Sequence, residues 1–217
     1  MDDRVYQSYL GILRDELVPA LGCTEPIALA YGASIARKVF GSLPEHMDVF
    51  CSGNIIKNVK SVTVPNSGGM RGIEAAAVLG ALGGCPERKL EVLEGVTEEA
   101  QEKTRELLAK HFCTCHLEEG VENLYIRVEM RGDGHLVKVI LSEKHTRVER
   151  VEKDGEVLFS CGKEEAVGKK EDGKALLNVK DILAFAEEVK MEDIEEVIGR
   201  QVEMNTAISE EGLKNHY

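Results

Sequence analysis

The chain has 217 residues, of which 43% are apolar, and this is enough to bury a core in one large domain or two small ones. Its formal net charge of −12 and its 5% of aromatic residues argue against nucleic acid and anionic membranes as partners. The N-terminus lacks the pattern of a signal peptide, and no apolar run reaches the ~20 residues that span a bilayer. We therefore expect a cytoplasmic protein.

Two helical patterns meet at a cysteine near the N-terminus. Residues 4–18 are amphipathic, whereas residues 25–40 are apolar on nearly every side. Pro19 ends the first pattern, and Thr24 suits the N-cap of the second. Cys23 is thus predicted just ahead of a helix N-terminus, where free N–H groups and the helix dipole stabilise a thiolate. A reactive or metal-binding cysteine and a buried structural one are about equally favoured by this position.

The next segment mixes short strands with a helix of small residues. Strands are predicted at 47–52 and 59–64, on either side of a polar loop, and a helix is predicted at 72–83. Both this helix and the one at 25–40 are apolar enough to need cover on most sides. We expect a partner, or a missing C-terminal half, to supply part of that cover.

The hydrophobic period changes from 3.6 to 2 after a charged helix predicted at 96–110. Four strands follow, at 121–130, 135–142, 146–152 and 156–161. Asp-Gly pairs at 133–134 and 154–155 favour tight hairpins between them. Beyond the strands we predict a polar loop and two helices, at 163–174, at 179–189 and from 192 onward.

This order of elements predicts an α+β fold, with helices at both ends, a central mixed segment and a four-stranded antiparallel meander. Two parts are expected. The helical part of the core comprises residues 1–45, 66–95 and 178–217, and the α+β subdomain comprises residues 46–65 and 96–177.

Two polar segments have the groups that bind an amino acid's carboxylate. The first carries an ammonium group and two amides, on Lys57, Asn54 and Asn58. The second is a glycine turn whose backbone N–H groups can hold an anion, and it consists of Ser67, Gly68 and Gly69. A solvated turn explains the first segment equally well, and an ordinary helix entry is the simpler explanation of the second.

A third segment places four soft ligands within six residues, at His111, Cys113, Cys115 and His116. The set resembles half of a zinc site, but alternate residues of an extended segment point to opposite faces. Zinc binding is therefore the less favoured interpretation. A lone histidine such as His145, within the predicted meander, is more often structural than a base.

The segment Pro19-Ala-Leu-Gly-Cys23-Thr-Glu-Pro26 resembles the N-terminal signature of the L-cysteine desulfidase family, which is related to the iron–sulfur L-serine dehydratase alpha chain. Further matches follow in order, at 54–58, 62–65, 67–69, 77–84, 145–146 and 207–213. Lys144 stands where the family has a glycine before its His-Thr pair. The resemblance covers nearly the whole chain, but only the first half of a usual family member.

The resemblance implies a lyase that eliminates hydrogen sulfide from L-cysteine, or water from L-serine, and leaves pyruvate and ammonia. Three cysteines would hold a [4Fe–4S] cluster whose open iron acts as a Lewis acid. By match Cys23 is one of the three, and the other two belong to the C-terminal half. We therefore expect the chain alone to lack an intact cluster and to be inactive without that half or a partner subunit.

The resemblance and the positions of residues also suggest individual roles. Cys23 is the metal ligand, and Glu25 and His145 are the catalytic candidates. The candidates for substrate binding are Thr24, Asn54, Lys57, Asn58, Ser67, Gly68 and Gly69. The alternative function is a non-catalytic α+β domain that binds a small molecule or another subunit. A homo-oligomer is compatible with either function.

Overall fold

The computed structural model describes residues 1–161 and 173–215. It divides the chain into two compact units, Met1–Pro19 with Lys163–Tyr217, and Ala20–Gly162. Most of the polar loop predicted at 163–174 lies outside the described residues. In the part of the chain that is described, no helix is both long and apolar enough to cross a membrane.

The α+β class and the helices at both ends are confirmed. The helices are α1 (Asp3–Glu16), α2 (Thr24–Phe40), α3 (Gly53–Val59), α4 (Ile73–Gly83), α5 (Glu98–Ala109), α6 (Val179–Glu188) and α7 (Met191–Lys214). The strands are β1 (His46–Cys51), β2 (Cys113–Leu117), β3 (Tyr125–Gly132), β4 (His135–Ser142), β5 (Val148–Lys153) and β6 (Glu156–Ser160). Short 3-10 helices cover Pro86–Glu91 and Gly173–Leu176.

The sheet is larger than predicted. It has six strands in the order β2-β1-β3-β4-β5-β6, with β1 and β2 parallel and the other neighbours antiparallel. Strands β3 to β6 form the predicted meander, but β1 and β2 extend it from the edge of β3. The strand predicted at 59–64 is wrong, because these residues end α3 and enter a loop with a single bridge between Thr63 and Arg71.

Two hairpins turn at the predicted Asp-Gly pairs. Asp133 and Gly134 join β3 to β4, with φ angles of 51° and 78°. Asp154 and Gly155 join β5 to β6, with φ angles of 54° and 85°. Paired positive φ angles are those of the turns that match the twist of antiparallel strands, and Asp-Gly adopts them readily.

Helices α2 and α4 form the core with one face of the sheet. Ala28, Leu29, Ala76 and Leu79 are fully buried, as are the core-facing residues of β1, β3 and β4. A methyl group on Gly80 would overlap the backbone of Ala30, so a glycine is needed where the two helices touch. The expectation that these helices need cover from outside the chain is therefore wrong, since α2 packs on strands β3 and β4, and α4 packs against α2 and α5.

The other face of the sheet carries a compact network of charges. Asp48 on β1 is buried, and its carboxylate lies 2.7 Å from His116 Nε2 and 3.4 Å from His46 Nε2. Arg131 lies 3.4 Å from the second Asp48 oxygen and 2.7 Å from the buried Glu129. These pairs keep both carboxylates compensated, as buried charges require.

The unit formed by Met1–Pro19 and Lys163–Tyr217 has a small core of its own. Phe185 on α6 packs edge-on against Tyr9 of α1, with ring centroids 5.4 Å apart, and Leu10 completes the buried cluster. The Tyr6 hydroxyl donates to Asp193 on α7 at 2.6 Å. Helix α7 itself has no buried residue along its 24 residues.

Candidate functional site

The first element of the candidate site is the start of α2. Cys23 is the N-cap residue of this helix, with φ −59° and ψ 122°, and its thiol is exposed. Thr24, which was predicted to be the cap, is instead the first helical residue. Its hydroxyl does not cap the helix and contacts two neighbouring side chains, Glu25 and His145.

Glu25 links the cysteine to α3. Its Oε2 atom accepts a hydrogen bond from the Cys23 thiol at 3.2 Å, and its Oε1 atom accepts one from the Asn58 amide at 3.2 Å. Ser52 caps α3 by accepting from the Ile55 backbone N–H at 3.4 Å, and this helix carries Asn58. The Asn58 amide is therefore engaged in orienting Glu25.

His145 reaches the site from the connection between β4 and β5, not from a strand. Its Nε2 atom lies 3.2 Å from the Thr24 hydroxyl oxygen. Arg147 braces this connection, since its guanidinium lies 3.0 Å from the Glu143 carboxylate and donates to the Ser142 hydroxyl at 3.2 Å. Sequence reasoning missed Arg147, and nothing in the local pattern marks it.

The charges at the site follow from these contacts. Burial raises the pKa of Glu25, but hydrogen bonds from the Cys23 thiol, its own N–H and Asn58 outweigh burial and lower that pKa. Burial and the bond to Glu25 raise the pKa of Cys23. Burial lowers the pKa of His145. At neutral pH the site thus holds an ionised carboxylate, a protonated thiol and a neutral imidazole, so the expected thiolate is opposed by Glu25.

Two other predicted substrate residues lie on α3 and are exposed. Asn54 is one helical turn before Asn58, and Lys57 directly precedes Asn58 in the chain. Side chains four residues apart share a helix face, so Asn54 lies on the side of α3 that bears Asn58. Neither Asn54 nor Lys57 takes part in the hydrogen bonds that join Cys23, Glu25 and Asn58.

The glycine turn makes hydrogen bonds within its own segment and to α5, while its binding of an anion through backbone N–H groups stays a prediction. The buried Ser67 hydroxyl donates to the Met70 carbonyl, and the Gly68 carbonyl accepts from Arg105 at 3.0 Å. Gly68 and Gly69 have φ angles of 67° and 87°, which glycine tolerates best. The link to Cys23 is indirect, because Pro65 at the start of the turn lies against Gly22.

The segment with four soft ligands does not gather them at one point. Cys113 and Cys115 lie on the core-facing side of β2, and burial raises the pKa of Cys113. His116 points to the other face and contacts Asp48, while His111 follows α5 and is exposed. Within residues 1–161 and 173–215, no group of three or more potential ligands is arranged to hold a metal ion.

Among the described residues, the donors at this site offer one sulfur ligand for an iron–sulfur cluster. Cys23 offers an exposed sulfur, and Glu25 lies where it can accept the proton that a cysteine loses on binding a metal. Two further ligands of a three-cysteine site would have to come from another polypeptide segment. The chain's own residues therefore fit part of such a centre.

Comparison with known proteins finds relatives of twice this length. The UPF0597 protein of Lachnoclostridium phytofermentans is 45% identical over 216 residues, which are 98% of this chain and 51% of that protein. The UPF0597 protein of Treponema denticola is 44% identical over 219 residues, which are 100% of this chain and 51% of that protein. No protein-family model and no solved structure matches the chain.

A third relative agrees with these two. The UPF0597 protein of Desulfitobacterium hafniense is 40% identical over 215 residues, which are 99% of this chain and 50% of that protein. The chain spans about half the length of the curated relatives it matches. Along nearly all of its own length, it is similar to one half of a UPF0597 protein.

Proposed function

We propose that this chain is the N-terminal half of an iron–sulfur β-eliminating lyase that acts on L-cysteine or L-serine. The cluster, when bound, supplies the Lewis acid that draws the leaving group from the substrate. Cys23 is its ligand from this half. Activity requires the half of the relatives that this chain does not match.

One observation carries the proposal. Five candidates meet through hydrogen bonds: Cys23, Thr24, Glu25, Asn58 and His145. The first three are neighbours at the start of α2, but Asn58 comes from α3 and His145 from the β4–β5 connection, so these last two contacts are not a consequence of sequence proximity. A structural cysteine would be expected in the core, whereas Cys23 is exposed.

The chain's own residues have distinct tasks in this account. The ionised Glu25 carboxylate accepts a hydrogen bond from the Cys23 thiol, and Asn58 fixes the orientation of that carboxylate. His145 is neutral, so its Nε2 atom can exchange a proton through the Thr24 hydroxyl, 3.2 Å away. Glu25 and His145 are thus a proton-transfer pair bridged by Thr24, which is typical of acid–base catalysis.

The test uses a chimaera in which this chain replaces the matching half of the L. phytofermentans relative. The chimaera and the isolated chain are each reconstituted anaerobically with iron and sulfide. Release of sulfide and pyruvate from L-cysteine, and of pyruvate from L-serine, is then measured. We expect the chimaera to release product and the isolated chain to release little or none.

The alternative is a non-catalytic domain that binds a small molecule or a subunit. It predicts a chimaera that folds and leaves both amino acids unchanged, whatever its iron content. The natural L. phytofermentans protein, assayed in parallel, separates a faulty chimaera from an absent activity. Inactivity of the natural protein toward both substrates would favour the binding domain.

A further inference from the structure

Helix α7 is strongly amphipathic. At 3.6 residues per turn its large apolar side chains fall within about half of the circumference. They include Ile194, Ile198, Val202, Met204, Ile208 and Leu213. The opposite half carries most of the charges, among them Glu196, Glu203, Glu210 and Lys214.

Only the first part of this apolar face is covered in the described chain. Ile194 packs against the cluster of Tyr9, Leu10 and Phe185. Every residue from 199 to 215 is exposed. Val202, Ile208 and Leu213 are 60%, 70% and 83% exposed, so the described residues of its own unit do not bury the apolar face of the second part.

Such a segment needs a partner on physical grounds. An isolated helix shorter than ~12–15 residues is marginal in water, and helices in proteins are held mainly by packing of their apolar face. An exposed apolar face with polar residues along its rim is typical of a protein–protein contact. The second part of α7 therefore has the composition of a buried contact helix and the exposure of an unpaired one.

We propose that the apolar face of α7 between Val202 and Leu213 docks against the half of the UPF0597-type polypeptide that this chain does not match. The relatives carry that second half in the same polypeptide, since the match covers 98% to 100% of this chain but only about half of each relative. A second copy of this chain is disfavoured as the occupant, because each copy carries a net charge of −12.

This inference shares with the proposed function the premise of a second half, but not the chemistry. Docking needs neither iron nor substrate, so it can be measured in their absence. A natural protein that is inactive toward both amino acids, but whose helix matching α7 is protected, would refute the lyase and leave the docking face standing. An active chimaera with an unprotected α7 would do the reverse.

The experiment is hydrogen exchange followed by mass spectrometry on three proteins. They are this chain, the chimaera and the natural L. phytofermentans protein. We expect amides of residues 199–215 to exchange rapidly in this chain and about 100-fold more slowly in the chimaera, because a docked helix opens far less often. The matching helix of the natural protein gives the same reading without any engineering.

Two double variants of the chimaera test the face itself. Val202→Glu with Ile208→Glu places charges on the apolar half and is expected to restore rapid exchange. Ala207→Glu with Lys214→Gln lowers the net charge by the same two units on the opposite half of the same helix and should leave the protection intact. Equal effects of the two variants would overturn the assignment of the face.

Rapid exchange of this helix in both full-length proteins would overturn the docking proposal outright. Light scattering on this chain addresses the remaining occupant. A stable dimer that protects residues 199–215, and that Val202→Glu with Ile208→Glu dissociates, would assign the face to a second copy instead.

Discussion

The Thr24 hydroxyl lies 3.2 Å from Nε2 of His145, although 121 residues separate them in the chain. This contact joins the start of α2 to the β4–β5 connection. It also places a neutral imidazole one hydroxyl away from the ionised Glu25. The Thr24 hydroxyl therefore contacts both catalytic candidates, Glu25 and His145.

Replacing His145 should affect catalysis far more than stability. In the chimaera, His145→Gln is expected to lower kcat/KM for L-cysteine by about 100-fold, the scale of a lost acid–base group. The free energy of unfolding should fall by only about 1 kcal/mol, since one hydrogen bond is lost. His135→Gln, on the exposed β3–β4 hairpin, is the matched control and should leave kcat/KM unchanged.

Removing the charge of Glu25 should make Cys23 more reactive. Burial and the hydrogen bond to the Glu25 carboxylate both raise the pKa of Cys23, so Glu25→Gln lowers that pKa. At a pH below that pKa the thiolate fraction then rises, and alkylation by iodoacetamide should quicken by about 3- to 10-fold. Peptide mass spectrometry measures the rate, with Cys85 in the same sample as the internal control. An unchanged or slower rate at Cys23 would contradict the assigned contact.

The stability that ionised Asp48 contributes to the fold should be lost in acid. Burial raises the pKa of Asp48, but the hydrogen bond with His116 and the charges of His46 and Arg131 outweigh burial, so the pKa lies below its ordinary value. A carboxyl whose pKa is lower in the folded state stabilises the fold above the unfolded pKa of ~3.9, and that stability is lost as pH falls through the folded value.

Urea unfolding of Asp48→Asn at two pH values tests this. At pH 7 the variant should lose about 2 kcal/mol, as expected for a buried, charge-assisted hydrogen bond. The difference in the free energy of unfolding from the native chain should shrink as the pH falls toward ~3, because native Asp48 is then protonated and is as uncharged as the asparagine. Asp133→Asn, on an exposed turn where asparagine tolerates positive φ, should differ little from the native chain at either pH.

The contact between α2 and α4 should tolerate no side chain at Gly80. A Cβ atom there would lie 2.7 Å from the Ala30 carbonyl carbon and closer still to two other atoms of that backbone. Gly80→Ala is therefore expected to lower the free energy of unfolding by about 3 kcal/mol or to prevent folding. Gly11→Ala in α1 has no atom within 4 Å of the new methyl and should stabilise its helix by about 0.5–1 kcal/mol. Thermal unfolding distinguishes the two outcomes.

Local patterns were sufficient for most helices and for the meander. The strand predicted at 135–142 and the Asp-Gly turns at 133–134 and 154–155 are observed where the alternation and turn chemistry place them. The pairing of β1 with β2 and β3 was not predictable, because it joins segments more than 60 residues apart. The strand predicted at 59–64 is not observed because the polar segment before it forms α3. This helix is capped by Ser52, begins at Gly53 and ends at Val59.

The candidate site was predictable as a set of residues but not as a geometry. The resemblance selected Cys23, Glu25, Asn58 and His145 without indicating which of them touch. The role of Asn58 changed from a substrate amide to a donor that holds Glu25. The glycine turn at 67–69 was expected to hold the amino acid through backbone N–H groups, and this stays a prediction; the Ser67 hydroxyl and the Gly68 carbonyl bond to Met70 and Arg105.

The expectation of a second half was also based on the wrong helices. The apolar patterns of α2 and α4 suggested missing cover, but strands β3 and β4 cover α2, and α2 and α5 cover α4. The exposed apolar residues are instead on α7, among them Val202 and Ile208. A sequence pattern shows that a helix face must be buried but not what buries it.

The most direct test of the account is the dependence of iron and activity on Cys23 in the reconstituted chimaera. Cys85 is a matched control, because its thiol also contacts the carboxylate two residues later, Glu87, at 3.3 Å. We predict that Cys23→Ala loses bound iron and sulfide release together, whereas Cys85→Ala keeps both. Full iron content and undiminished sulfide release in Cys23→Ala would contradict the central claim.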